Sequence, residues 1–338
     1  MESEGVPIHK IEIYGTLGPR CADTETLAAM FEAGMTGVRL NLSHVTLNNA
    51  ANEIESLHRA AAQCGKTAQL LIDMQGPELR IGALPSPLIL HEGAALHLGE
   101  GGIPVPTLIL PCLTPGQEVL LDDGKLLLVI SGAGNNSAEA TVLRGGALQS
   151  RKSIALPGID LHAPTMTETD RMNIALAREF GVTGVMQPFV RDRRDLETVR
   201  EALNNAGGQE IRLFAKIESH EGVANLAELI PACDEIVIAR GDLGNAMPLW
   251  ELPRVQKEIA YRCRAAGRPF MVVTQMLASM EHAPVPTRAE VSDVFNAVCD
   301  GAASVMVTGE TAVGDYPVEV IRYLANTVEE ALRYLNLR

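Results

Sequence analysis

Lys216 and Glu218 stand two residues apart in the apolar run IRLFAKIES, so in a strand both side chains face the same side. A lysine placed this way can steady a developing enolate oxygen electrostatically, or act as an acid or base. Glu218 together with Asp242 of ARGDLG offers two hard oxygen ligands. Such a pair suits Mg2+ or Mn2+ and leaves positions for substrate oxygens and water. Gly241 in the same segment lets backbone N–H groups approach an anion, and a short helix is predicted to start there. Thr274, at the end of the run PFMVVTQ, can donate a hydrogen bond to that anion. Asn41, Ser43 and Asp73 are oxygen donors with a single charge among them. They suit a monovalent cation better than a second divalent one, and a plain hydrogen-bond cluster accounts for them equally well. Arg39 and Arg80 can hold phosphates bidentately.

These residues share a position: each follows a short apolar run. The runs are IEIYG (11–15), GVRLN (37–41), TAQLLID (67–73), VTGVM (182–186), IRLFAKI (211–217), EIVIA (235–239), PFMVVTQ (269–275) and SVMVT (304–308). Each is followed by a stretch with helical spacing: 24–34, 46–63, 167–180, 192–205, 221–229, 251–266, 288–299 and 317–334, with Thr24 as a candidate N-cap of the first. The third run differs, because an insertion separates it from its helix. Apolar runs without alternation are what parallel strands buried on both faces need. Eight such units predict an α/β fold, a (β/α)8 TIM barrel, whose strand ends open on one mouth where catalysis sits. A doubly wound open sheet is the alternative. One polar strand end is ordinarily a cap or an ion pair. A whole set at the same end of successive strands points instead to a site.

Residues 82–153 read differently. They are rich in Gly and Pro, with short strand-like pieces (LILPCL, QEVLLD, KLLLVI, AEATVL) between turn signals at Pro115–Gly116, Asp123–Gly124 and Asn135–Asn136. This predicts a small all-β domain, a β-barrel-like lid, inserted after the third strand, with the catalytic barrel formed from 1–81 and 154–338. Setting the insertion aside leaves close to the ~250 residues of one barrel.

The composition limits what this site can serve. A net charge of −14 lacks the basic excess of a nucleic-acid surface and disfavours anionic lipid. Arg, Lys and bound cations must therefore reverse the field locally if the substrate is an anion. The six cysteines are scattered with no CxxC pair, which argues against a zinc cage or redox dithiol and for reduced thiols. The start, MESEGVPIHK, has no apolar leader core, and no stretch reaches the ~18 apolar residues of a membrane span. A cytoplasmic protein that meets neither membrane nor nucleic acid is expected.

RLNLSH, GPELR, AKIES, ARGDLG, TQMLASM, PTRAEVSDV and TGETAVGDYP together closely resemble the pyruvate kinase family, with matches in order from TLGP at residue 16 to residue 317. SRKSIALPG (150–158) resembles the segment where that family's mobile lid returns to the barrel. The resemblance implies phosphoryl transfer between phosphoenolpyruvate and ADP, giving pyruvate and ATP. Lys216, Thr274 and Arg39 would be catalytic, and Arg39, Lys216, Gly241, Asp242 and Thr274 would hold phosphoenolpyruvate. Glu218 and Asp242 would bind Mg2+. Asn41, Ser43, Asp73 and the Met74 carbonyl would bind K+, with Glu78 marking the potassium-dependent form. Arg80 and Lys152 would contact nucleotide phosphates, with Asn41, His44 and the lid residue Asp123 nearby. A homo-oligomer formed through barrel surfaces is compatible with this.

The chain departs from the family pattern at several points. Met74 and Gln75 stand for Thr and Lys, Pro188 for Ser, Val45 for Gly and Thr308 for Ser. Gln75 removes a cation expected near the phosphates. The lid is short, and the chain is expected to consist of barrel and lid without the α/β regulatory domain usual in the family. Two other readings stay open on the same residues: altered enolate chemistry of lyase or aldolase type, and a non-catalytic binding or regulatory protein.

Overall fold

The computed structural model describes residues 11–76, 79–122, 124–159 and 164–337. Two compact units are present: Met1–Gly76, Thr165–Leu243 and Trp250–Arg338 form one, and Pro77–Pro164 with Gly244–Leu249 form the other.

In chain order the first unit begins with β1 (Glu12–Thr16), α1 (Thr24–Glu32), β2 (Gly37–Asn41), α2 (Ala51–Gln63) and β3 (Gln69–Asp73). The inserted unit follows: β4 (Leu88–Leu90), β5 (Ala95–Gly99), β6 (Glu118–Leu121), β7 (Leu126–Ala133), β8 (Ser137–Arg144), β9 (Gly146–Leu148) and β10 (Ile154–Ala155). The first unit resumes with α3 (Glu168–Leu176), β11 (Gly184–Gln187), α4 (Arg193–Asn205), β12 (Arg212–Ile217), α5 (His220–Ala224), α6 (Leu226–Leu229) and β13 (Glu235–Ala239). It closes with α7 (Arg240–Ala246), whose last residues from Gly244 on belong to the inserted unit, and with α8 (Leu252–Ala265), β14 (Phe270–Val273), α9 (Arg288–Cys299), β15 (Ser304–Met306), α10 (Gly309–Ala312) and α11 (Pro317–Asn336).

The eight strands of the first unit are all parallel and close in the order β1-β15-β14-β13-β12-β11-β3-β2. Closure rests on Glu12–Tyr14 pairing with Ser304–Met306, and it excludes the open doubly wound sheet. The interior is packed with Tyr14, Leu71, Met186, Phe214, Val237, Met271 and Met306, so the barrel is a core and not a pore. Gly184 is small for a reason: a Cβ there would come within 2.6 Å of both Leu71 and Phe214. No helix among the described residues is long and apolar enough to cross a membrane.

Local chemistry explains several departures from the expected elements. The first helix is capped by Asp23, not Thr24. The Asp23 carboxylate accepts from the Thr26 N–H at 2.8 Å, so Thr24 falls inside the helix. The helix expected from 46 begins at Ala51, because 45–50 form a loop and turn. The 221–229 helix is two short pieces broken at Asn225, whose side chain donates to the Arg191 carbonyl instead. Capping boxes at Thr167 and Thr287 start α3 and α9.

In the inserted unit, five strands form an antiparallel sheet (β10-β6-β7-β8-β5) and β4 pairs with β9. LILPCL is not a strand: Thr107–Cys112 is a 3₁₀ helix, where Pro106 and Pro111 deny the ladder its donors. Ile81 and Leu156 join the apolar core of this unit, and Arg80 bridges to Ser153, so the unit extends beyond 82–153 on both sides.

Candidate active site

Asp73 ends β3 and is 2% exposed. Its carboxylate meets two cations: Arg39 from β2, at 2.7 and 2.8 Å, and Lys216 from β12, at 3.2 Å to each oxygen. Lys216 Nζ also lies 3.0 Å from Glu218 Oε1, as the same-side argument requires. The second oxygen of Glu218 accepts from the Phe189 N–H at 2.8 Å. Phe189 has φ 49, and a β11–α4 turn with this strained residue aims its N–H at the carboxylate.

Electrostatics set the protonation states. Burial pushes the Asp73 carboxyl up, but the Lys216 and Arg39 charges outweigh it and hold it below the usual carboxylate range. Burial alone would lower the Lys216 ammonium. The Asp73 and Glu218 carboxylates outweigh this, with a further contribution from Asp242, and hold it above the ordinary lysine value. Lys216 is therefore a fixed positive charge at neutral pH, which suits electrostatic stabilisation and removes the neutral-base role.

The mouth is lined by more of the expected residues. Gly241 and Asp242 lie in the first turn of α7, which starts where ARGDLG predicts a helix. A Cβ on Gly241 would meet Thr274 Cγ2 at 3.1 Å, so the two residues abut. Asn41 accepts from the Ser43 N–H at 3.1 Å through Oδ1, a side-chain turn that orders RLNLSH, and the His44 N–H reaches the Asn41 carbonyl. Asn41 and Asp73 are register partners on β2 and β3, and Met74 follows, its N–H on the Met186 carbonyl. Arg80 and Lys152 belong to the inserted unit: Arg80 donates to the Arg151 carbonyl at 3.0 Å, and Lys152 pairs with Asp122 at 2.7 Å. Glu78 and Asp123 lie outside the described residues.

Two supporting acids, Asp170 and Asp293, were not expected from the sequence, and Glu310, which follows the eighth strand, turns out to have a structural role. Asp170, fully buried, accepts from the Gln75 and Gly76 N–H groups at 2.9 and 3.0 Å and fixes the turn after β3. Asp293 pairs with Arg240. Glu310 accepts from Leu277 and Thr308 N–H groups, so it is a cap rather than a ligand at the mouth. The available signal for Asp170 was its place at N3 of the T-x-x-D capping box. Pro188 presses on Gly76, whose Cβ would sit 2.4 Å from its ring. With φ +57 as well, Gly76 is a position for glycine only.

The two carboxylates Glu218 and Asp242 are of the chemistry a divalent cation takes. Asp73, Glu218 and Asp242 outnumber Lys216 and Arg39 by one negative charge. Among the described residues no group of three or more His, Cys, Asp or Glu could hold a metal on its own. Two carboxylates completed by substrate oxygens and water are the usual Mg2+ arrangement. Asn41, Ser43, Asp73 and the Met74 carbonyl are oxygen donors whose one charge is shared with two cations. That leaves too little charge for a second divalent ion there.

Comparison with known proteins accords with this geometry. Residues 8–321 match the family model for the pyruvate kinase barrel domain. The chain belongs to the pyruvate kinase family. A pyruvate kinase of Geobacillus stearothermophilus is 37% identical across 97% of this chain and 58% of its own length. One from Chlamydia pneumoniae is 36% identical across 97% of this chain and 70% of its own length. One from Mycobacterium intracellulare is 37% identical across 94% and 69%. The chain thus spans little more than half of the Geobacillus pyruvate kinase.

Proposed function

We propose that this chain transfers the phosphoryl group of phosphoenolpyruvate to ADP, giving pyruvate and ATP, with Mg2+ (or Mn2+) and K+. The observation that carries the reading is Lys216, half-buried between Asp73 and Glu218, whose carboxylates hold it in its charged form. It would lie against the oxygen that becomes an enolate when the phosphoryl group leaves, and would stabilise that charge without giving up a proton. Arg39 would turn from Asp73 to the phosphoryl oxygens, with Arg80 and Lys152 serving the nucleotide. Glu218 and Asp242 would hold the divalent ion, and Asn41, Ser43, Asp73 and the Met74 carbonyl the potassium. A divalent ion bound there supplies positive charge to the transferring phosphoryl oxygens. Carbon 3 of the enolate takes up one proton to give pyruvate, and Thr274 would orient the donor. None of the six cysteines is paired in a disulfide, which suits a reducing compartment such as the cytoplasm.

The test is pyruvate release from phosphoenolpyruvate, ADP, Mg2+ and K+. Absent turnover together with absent ADP binding discards the proposal. Proton exchange into pyruvate without ADP binding favours altered enolate chemistry instead. Omitting K+ should depress the rate sharply, and K+-insensitive kinetics would remove the potassium assignment.

A further inference from the structure

Thr274 and Gln275 follow β14 with φ 81 and 55, two consecutive non-glycine residues in left-handed backbone. Thr274 is the only β-branched residue with positive φ among the described residues, and β-branching makes that conformation costly. Such strain persists only where the surroundings over-determine it. Here the surroundings are specific. The Arg240 guanidinium donates twice to the Thr274 carbonyl, from Nε at 3.1 Å and from a terminal nitrogen at 2.7 Å. Its other terminal nitrogen grips both oxygens of Asp293 on α9, at 2.8 and 2.7 Å. The Arg240 side chain is only 11% exposed, so water competes little for these bonds. From the opposite side, the Thr274 side chain rests on Gly241, the residue after Arg240. One dipeptide thus holds both ends of Thr274: Arg240 its carbonyl, Gly241 its side chain.

We propose that Arg240, held by Asp293, is a positioning residue that locks the Thr274–Gln275 turn and so sets the Thr274 hydroxyl at the barrel mouth. The functional half of this rests on the role given to Thr274 above. A planar fork is required, since one edge of the guanidinium must serve a carbonyl while its other terminal nitrogen serves a carboxylate. Without it the turn relaxes to negative φ and the hydroxyl moves off its line to the substrate.

The experiment compares Asp293→Asn, Asp293→Glu and Arg240→Met with the parent chain. Asp293→Asn and Arg240→Met should lower kcat about 10- to 100-fold, the size expected for misplacing one group, with KM for phosphoenolpyruvate within about twofold. Asp293→Glu should recover part of the loss. In a Thr274→Ala background, Arg240→Met should cost nothing further, because Arg240 acts through Thr274. An additive loss, or a rise in KM at unchanged kcat, overturns the proposal. A crystal structure of Arg240→Met provides a readout independent of turnover: Thr274 should leave positive φ, and retention of φ near 81 overturns the lock. Thermal unfolding identifies a variant that fails to fold, in which case the isosteric Asp293→Asn carries the same two readouts. If the parent chain itself turns over no phosphoenolpyruvate, the activity reading fails while the backbone readout still decides the lock.

Discussion

The two ends of the barrel both carry charged networks, built to opposite purposes. At the mouth, Lys216 and Arg39 face Asp73, Glu218 and Asp242, an excess of carboxylate charge that cations and substrate must complete. At the base, the starts of β1, β3, β12, β13 and β15 contribute Glu12, Gln69, Arg212, Glu235 and Ser304, where two carboxylates share one guanidinium and the excess is met inside the network, by donors from Tyr14, Gln69 and Ser304 and by a Glu235 carboxyl that burial inclines to keep its proton. Arg212 reaches Glu12 at 3.0 Å and also pairs with Glu235, while its guanidinium lies 4.7 Å from the Phe214 ring centroid. Gln69 donates to Glu12 at 2.7 Å, Tyr14 to Glu12 at 2.8 Å, and Ser304 to Glu235 at 2.5 Å. A closed network stabilises, whereas one left open has binding capacity to spend on a ligand. The difference teaches that buried charge in a barrel is not itself the mark of a site. The mark is ionised carboxylate in excess at the C-terminal ends of the strands, met by neither a protein donor nor a retained proton.

The largest expected contrast comes from removing one cation at each end. Lys216→Met should reduce kcat on the order of 10³-fold, by analogy with loss of a major electrostatic stabiliser, while leaving metal binding largely intact. Retained turnover would remove Lys216 from its assigned role. Arg212→Met should leave turnover within about twofold but lower unfolding free energy by about 2–3 kcal/mol, short of the full buried-pair range because its side chain is a third exposed. A loss of activity without a loss of stability there would erase the distinction between the two ends.

A smaller effect follows from Glu235. Burial pushes its carboxyl up to about 7, since Ser304 and an Arg212 shared with Glu12 offset only part of the penalty. Between pH 4.5 and about 7 the folded chain then keeps a proton that the unfolded chain has released. Stability should fall as pH rises through that window, by on the order of 1–3 kcal/mol, and Glu235→Gln should flatten the profile. Denaturant midpoints across pH measure this, and a pH-independent parent would show that Glu235 stays ionised in its pair.

The smallest effect returns to the mouth. Gln75, held by Asp170 through its N–H, sits where the family carries lysine. Gln75→Lys should lower KM for phosphoenolpyruvate or ADP by about twofold to tenfold, the value of one partly screened charge. An unchanged KM would place residue 75 outside the field of the phosphates.

The strands were readable because burial on both faces leaves an apolar run whatever the neighbours do, as in EIVIA and FMVV. The mouth was readable because Lys216, Glu218, Asp242 and Thr274 each close such a run. The base network was missed although its signal was present: EIYGT, RLFAKI and EIVIA each begin with a charge. Strand starts were not weighed as strand ends were. LILPCL misled because its composition suits a strand while its prolines do not, and Asp23 took the cap from Thr24 because an N-cap must precede the first helical residue.

The amino-acid sequence by itself determined the eight-unit alternation, the inserted β unit and the residue types at the mouth, because these follow from periodicity and burial along the chain. Only the tertiary structure decided how those residues pair. It brings Asp73 between Arg39 and Lys216, turns Arg240 onto Thr274 and Asp293, and leaves Glu235 sharing one arginine with Glu12. Those pairings join residues from up to 200 positions apart, as for Glu12 and Arg212. Charge compensation acts through distance in space, which barrel closure sets and no local pattern encodes.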